Sequence, residues 1–361
     1  MKIGLVIYKA QRQRGGAERY TIDLADALIS RGHAVSILAT KHHDAGRADP
    51  IQISPRGITR AGVYRSFCDA VAGVVNQEAF DIVHAMLPIC ACDVYQAHAG
   101  FERATLGQLT ATSRLFQSKR RAFASAEDHL AATPGTRFLC LSNAQHAQAK
   151  HIWNVPEDRL TIIHNGVDLA RFDPTLLPSR QSLREKLKLT NPAILFIGQD
   201  FHRKGLDLAI SAIAKTSASL HVLGSDDAAA FRAQASRLGC DSRILFHGNI
   251  PDPREWIAAC DALILSSRHD PFPLAVLEAM AMGLPPIVSS AVGVSEIIEH
   301  EKTGFITSGP EELVAAIEKA IEPQTNARLR QSLLISRDPI GYGHHLDRVE
   351  ALYHSIAFKP E

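Results

Sequence analysis

No run in this chain is long and apolar enough to span a bilayer. The opening "MKIGLVIYKAQ" holds only about six apolar residues before Lys9, too few for the core of a secretory leader. A soluble, cytoplasmic protein is expected, at most peripheral on the inner face of a membrane. Charge of one sign is missing as well: 39 Lys and Arg against 38 Asp and Glu leave a formal net charge of +1. Nothing in that balance draws the molecule to a polyanion and no reader motif is present, so nucleic acid is not an expected partner. The six cysteines (Cys68, Cys90, Cys92, Cys140, Cys240, Cys260) form no C-x-x-C pair and no zinc spacing. They are expected to be reduced, buried and structural. The "HH" pairs at 42–43 and 344–345 read as loop residues, not metal ligands.

Other absences exclude whole chemistries. There is no G-x-G-x-x-G after the first strand, no phosphate-loop motif, no G-x-S-x-G elbow and no H-E-x-x-H helix. A D-x-D pair, which would hold Mg²⁺ or Mn²⁺ on a sugar nucleotide, is also absent. Neither a metal nor a cofactor is expected.

What the chain has is order. An apolar fraction of 46% with 21% charged residues is ordinary globular composition, and 361 residues are too many for one core. "IGLVIY", a Gly-rich turn, the amphipathic "AERYTIDLADALISRG" and "AVSILAT" spell strand–helix–strand, the unit of a parallel layered domain. "FDIVHAM", "RFLCLS" and "RLTIIHNGVDL" continue the apolar runs of strands buried on both faces. A second series, "AILFIG", "SLHVLGS", "RILFHG", "ALILSS" and "PPIVSS", follows a polar stretch. The expected division is therefore 1–170, a linker at 171–192, and 193–343, with a terminal helix at 344–358 packing back on the first domain. Two doubly wound α/β domains of this kind would form a cleft at the carboxyl ends of their strands.

The loops carry the chemistry. In "FIGQDFHRKGLDLAI" a strand ends at Gly198, and Arg203 and Lys204 precede a helix. Two cations there can neutralise a diphosphate, Lys as a point charge and Arg as a fork. The bland reading is a solvated basic pair. In "ALILSSRHDPFPLAVLEAMAMG" the loop with Asp270 leads into a helix whose N-terminus suits a phosphate. Glu278 lies a turn in, on the face of Leu274, where it can take ribose hydroxyls. Asp270, read at the loop tip, can take sugar hydroxyls. Against this, Asp270 could be a turn residue and Glu278 a surface one.

Taken together, "GGAER", "IIHNGVDLARF", "GQDFHRKG", "HDPFPLAVLEAMAMGLPPIVSS" and "GVSEIIEHEKTGFI" resemble the retaining glycosyltransferases of family 4 along nearly the whole chain. The fold class so implied is α/β, two facing Rossmann-like doubly wound domains (GT-B) with a cleft between them. The resemblance implies a metal-independent transfer from a nucleotide sugar. It places Arg203 and Lys204 on the diphosphate, Glu278 on the ribose and Asp270 on the donor sugar. Phe272, Pro273 and Leu274 of the same loop would join the donor site, and Asp270, Lys204 and His98 would be the catalytic set. His98, in "YQAHAGFE", resembles the family's histidine that touches the donor sugar, and Gly15 and Gly16 would let backbone amides approach it. Two departures stand out: Asp270 replaces the usual Glu, and Gln199 a frequent Arg.

"DFHRKG" and "GFERAT" look most like bacterial lipopolysaccharide core glucosyltransferases. That implies a UDP-hexose donor, UDP-glucose first, and a glycolipid acceptor. Residues 103–126 carry Arg103, Arg114, Lys119, Arg120 and Arg121 with no acid, interleaved with Leu106, Leu109, Leu115, Phe116 and Phe123. Such composition suits a helix on an anionic leaflet, or simply the basic face of a surface helix. A nucleotide-sugar 2-epimerase of the same fold, or a non-catalytic nucleotide-sugar or glycan-binding module, stands as an alternative.

Overall fold

The computed structural model describes residues 1–13, 15–109 and 117–357. It divides into two compact units, Met1–His164 with His345–Glu361, and Asn165–His344.

The first unit opens with β1 (Lys2–Val6), α1 (Gly16–Ser30), β2 (Ala34–Ala39), β3 (Asp49–Gln52), α2 (Arg60–Glu78), β4 (Ile82–Ala85) and β5 (Val94–Gln96). After α3 (Glu102–Gln108) and α4 (Ser118–Ala132) come β6 (Arg137–Cys140), α5 (Asn143–Trp153) and β7 (Leu160–Ile162). The seven strands are parallel, in the order β3-β2-β1-β4-β5-β6-β7. In β1, Ile3, Leu5 and Val6 are fully buried, as a strand covered by helices on both faces requires. Helix α1 buries Ile22, Leu24, Ala25 and Leu28. Truncating a buried Leu such as Leu28 to Ala would cost roughly 2–5 kcal/mol. Gly32, at φ +87°, turns the chain after α1 into β2.

The second unit contains α6 (Arg180–Lys186), β8 (Ala193–Ile197), α7 (Leu206–Ile213), β9 (Ser219–Leu223), α8 (Ala229–Arg237), β10 (Ile244–Gly248) and α9 (Arg254–Ala259). It continues with β11 (Ala262–Leu265), α10 (Leu274–Ala281), β12 (Pro286–Ser289), β13 (Phe305–Thr307), α11 (Pro310–Ile321) and α12 (Pro323–Ile335). Its six strands are also parallel, in the order β10-β9-β8-β11-β12-β13. Helix α13 (Tyr342–Ala357) closes the described chain and from His345 onward belongs to the first unit.

Three expectations need amendment. The stretch 171–192 is not a free linker: Arg180 and Arg184 of α6 both pair with Asp261, and Lys186 pairs with Glu255 2.7 Å away, tying it into the second unit. Strand β3 is missing from the sequence reading because its "DPIQ" contains a proline and lies at a sheet edge, where no alternating burial marks it. Cys90 is exposed and Cys92 half-buried, so the cysteines are not uniformly core residues. Among the described residues no helix is long and apolar enough to cross a membrane.

Candidate active site

Strand order reverses between β8 and β11 in the second sheet, and the candidate residues of this unit follow those two strands. Parallel sheets bind ligands at such switch points, where the neighbouring loops part. Gly198, directly after β8, has φ +155°, and a Cβ there would collide with the stem of Lys204, which folds back over it. The loop then closes on itself: Lys204 N–H donates to the Asp200 carbonyl at 3.0 Å and Leu206 N–H to that of Phe201 at 2.9 Å. Gly205, at φ +74°, abuts the carbonyl oxygen of Ser266, and Ser266 Oγ donates to the Gly205 carbonyl at 2.8 Å. Only glycine meets both demands, a left-handed backbone and close approach. Arg268 adds a second bolt, its N–H donating to the Arg203 carbonyl at 2.9 Å and its side chain pairing with Asp207.

These bolts bring Arg203, Lys204 and Asp270 together. Asp270 Oδ2 lies 3.4 Å from Arg203 Nη1 and 3.5 Å from Lys204 Nζ. Arg203 also donates to the His269 carbonyl at 3.0 Å and to Asp200 at 2.9 Å. Asp270 is 8% exposed, and its carbonyl accepts from Gly293 N–H at 2.9 Å. It is therefore not at a loop tip, because the loop folds inward against 292–293. At 3.4–3.5 Å these contacts are long for charge-assisted hydrogen bonds, so both cations keep capacity for a further anion. The Asp holds them in position without saturating them.

The turn behind this cluster is rigid. Pro271, Phe272 and Pro273 are buried, and Asn165 Nδ2 donates to the Phe272 carbonyl at 2.9 Å. Pro273 caps α10 with no side-chain hydrogen bond, so the N-cap residue does not satisfy the helix's first amides. Leu274 is partly exposed at the start of α10, and Glu278, one turn on, is buried at 5% exposure. A buried carboxylate in a helix is not the solvated surface residue of the bland alternative.

The first unit places Gly15 as the N-cap of α1, in extended conformation, and Gly16 as its exposed first residue. His98 follows β5, where Gln96 Nε2 approaches His98 Nε2 at 2.9 Å and the Tyr20 ring lies 4.3 Å from the imidazole. Burial, with His345 nearby, lowers the His98 pKa to about 3, so the ring is neutral. With the amide N–H donating to Nε2, the proton sits on Nδ1, which has no partner among the described residues. A neutral imidazole with a free N–H can donate to a hydroxyl.

Comparison with known proteins decides the family. Residues 14–171 match Glycosyltransferase Family 4, and residues 179–333 match Glycosyl transferases group 1. The chain belongs to the family 4, group 1 glycosyltransferases. It is 26% identical to the lipopolysaccharide glucosyltransferase WaaG of Escherichia coli K12, over 85% of this chain and 86% of that one. It is 25% identical to an uncharacterised glycosyltransferase of Methanocaldococcus jannaschii, over 84% of each. A crystal structure of WaaG superposes with TM-score 0.86 at 22% identity, covering 98% of this chain and 99% of that one, and the fold is thereby GT-B. Anabaena HepE in complex with UDP-glucose matches with TM-score 0.78 at 19% identity, covering 98% and 100%.

The basic stretch of this glycosyltransferase is partly neutralised and partly buried. Arg103 pairs with Asp128 and Arg120 with Glu102, while Leu106 is buried and Phe123 packs 4.1 Å from the Tyr64 ring. Acids just outside 103–126 thus neutralise two of its cations, and two of its apolar residues face inward. Arg114, Leu115 and Phe116 lie outside the described residues.

Sequence reasoning missed a buried imidazole–phenol network in the first unit. Tyr20 Oη is 2.8 Å from His345 Nε2, His345 Nδ1–H donates to the His164 carbonyl at 2.7 Å, and His84 Nδ1 is 2.7 Å from Tyr353 Oη. His345 is therefore a core helix residue rather than a loop one. Burial is the main cause lowering the pKa of His84 to about 3 and that of His345 to about 4. The one available signal was that Tyr20 and Tyr353 fall on the apolar faces of their helices.

Proposed function

We propose that this glycosyltransferase moves a hexose, glucose first among candidates, from a UDP-sugar to a hydroxyl of a glycolipid such as a lipopolysaccharide inner core, with retained anomeric configuration and without a metal. The observation that carries the reading is the convergence of Arg203, Lys204 and buried Asp270 at the β8/β11 switch point. Arg203 and Lys204 receive the diphosphate, and the uncapped start of α10 adds its amides. Glu278 holds the ribose. Asp270 takes hydroxyls of the donor sugar, with Phe272, Pro273 and Leu274 shaping that wall. His98, through its Nδ1–H, and the Gly15–Gly16 backbone contact the sugar from the first unit.

In this scheme glycosidic cleavage leaves charge on the β-phosphate, and cations positioned beforehand stabilise it without reorganisation. The departing phosphate oxygen takes the acceptor's proton on the same face, which keeps the configuration. The names of WaaG and of the UDP-glucose complex support this donor and acceptor class. Cytoplasmic action at an anionic leaflet is part of the proposal, with Lys119 and the exposed part of 103–126 as contact.

The test is turnover: the enzyme, UDP-[¹³C]glucose, EDTA and a heptose-terminated core glycolipid, followed by NMR of the product. An α-linked glucosyl product is expected. A β-linked product overturns retention, and strict dependence on added Mg²⁺ overturns metal independence.

A further inference from the structure

A cavity lies wholly within the first unit, between α2 and α4, and takes no part in the donor chemistry above. Its volume is about 650 Å³, within the 300–1,000 Å³ typical of small-molecule sites. From α4 it is lined by Ser118, Arg121, Ser125 and His129, residues spaced three to four apart and so forming one polar stripe along the helix. Helix α2 contributes Arg65. Tyr64, Ala122 and Ala126 form an apolar wall, and Tyr64 is fixed because its hydroxyl donates to the Pro88 carbonyl. The two guanidinium groups distinguish the cavity. Arg103 and Arg120 nearby are paired with acids, but Arg65 and Arg121 make no ion pair among the described residues. One acid, Asp69, also lines the space and likewise has no ion-pair partner there. Two unpaired cations from different helices lining one space repel each other, and a dianion between them would remove that cost.

We propose that this cavity binds a phosphate group carried on a sugar-sized polyol, with Arg65 and Arg121 on the phosphate and Ser118, Ser125 and His129 on the hydroxyls. The apolar wall fits the C–H face of a ring. Such a group could belong to a phosphorylated sugar or to a phospholipid headgroup, and the chemistry is shared. The site stands independently of the donor site in the second unit.

The cavity contains its own reporter. Cys90 is exposed at its edge, and a hydrogen bond from Cys68 lowers its pKa to about 7. A bound phosphate should disfavour the nearby thiolate and shield it. The experiment follows iodoacetamide modification of the Cys90 peptide by mass spectrometry in the full chain at pH 7. Glucose 6-phosphate is compared with glucose and with NaCl at matched ionic strength, and vesicles of phosphatidylglycerol in phosphatidylcholine with phosphatidylcholine alone. At saturation glucose 6-phosphate should slow the reaction at least threefold, glucose and NaCl should not, and Arg65→Ala or Arg121→Ala should abolish protection. Protection by the vesicles alone, lost in the same variants, assigns the phosphate to a headgroup. Calorimetric titration with glucose 6-phosphate and with the vesicles repeats these arms without relying on the thiol. No protection and no heat with either phosphate source overturns the site, as does binding that survives unchanged in both Arg65→Ala and Arg121→Ala. UDP binding measured on the same samples reports separately on the donor site.

Discussion

The loops after β8 and β11 and the core beneath α13 both gather polar groups from distant parts of the chain, but on opposite terms. The first holds Arg203, Lys204 and Asp270 at 3.4–3.5 Å with capacity left over. The second holds Tyr20, His345, His84 and Tyr353 in contacts of 2.7–2.8 Å, inside a unit whose helices exclude water. One is an arrangement of charge waiting for a counter-charge. The other is enclosed, with His84 Nε2 left unpartnered among the described residues, and its imidazoles are neutral because burial disfavours their charged form. Capacity left over at a strand end is what a binding site needs, whereas a closed network specifies which helix packs where.

The largest effect should come from breaking the frame of the open cluster. Gly205→Val forces a branched side chain into positive φ against the Ser266 carbonyl and should cost more than about 4 kcal/mol in urea unfolding. Lys204→Ala leaves the frame intact and removes one phosphate charge. Transfer should fall about 100-fold, the scale of one lost electrostatic donor, with an unchanged unfolding midpoint.

The closed network should respond to acid. His84 and His345 stay neutral in the folded state to about pH 3 and 4, whereas unfolded histidine takes a proton near pH 6.5. The unfolded chain therefore binds more protons between those values. Stability is complete above about pH 6.5 and falls as pH drops, by about 2 kcal/mol per histidine at pH 5. Urea titrations at pH 7.5 and 5 measure this, and His345→Gln should remove its share. The smallest effect is expected for Tyr353→Phe, which takes the partner from His84 Nδ1 and should cost about 1–2 kcal/mol.

The same contrast explains what could be read in the sequence. Both parallel sheets were legible because apolar runs, short loops and glycine stops are local signals. The open cluster was legible because each half of it is contiguous: "FHRKG" closes one strand and "RHDPFP" the next. The inward fold of Asp270 was not, since it depends on a bridge to Val292. Tyr20 and His345, 325 residues apart, were invisible as partners. Each is written as an ordinary residue of an amphipathic helix, and only the return of α13 to the first unit joins them. The pairing of two cations in the basic stretch was hidden for a related reason, because the acids that meet Arg103 and Arg120 lie just beyond its ends.

The central claim is that Arg203 and Lys204 form a nucleotide-diphosphate site that needs no metal. Thermal unfolding in EDTA with UDP and UDP-glucose tests it directly. A ligand of the folded state at one hundred times its dissociation constant should stabilise by roughly 2.7 kcal/mol. A clear upward shift in the wild type, lost in Lys204→Ala, is the predicted result. No shift with either ligand, or an equal shift in Lys204→Ala, would contradict it.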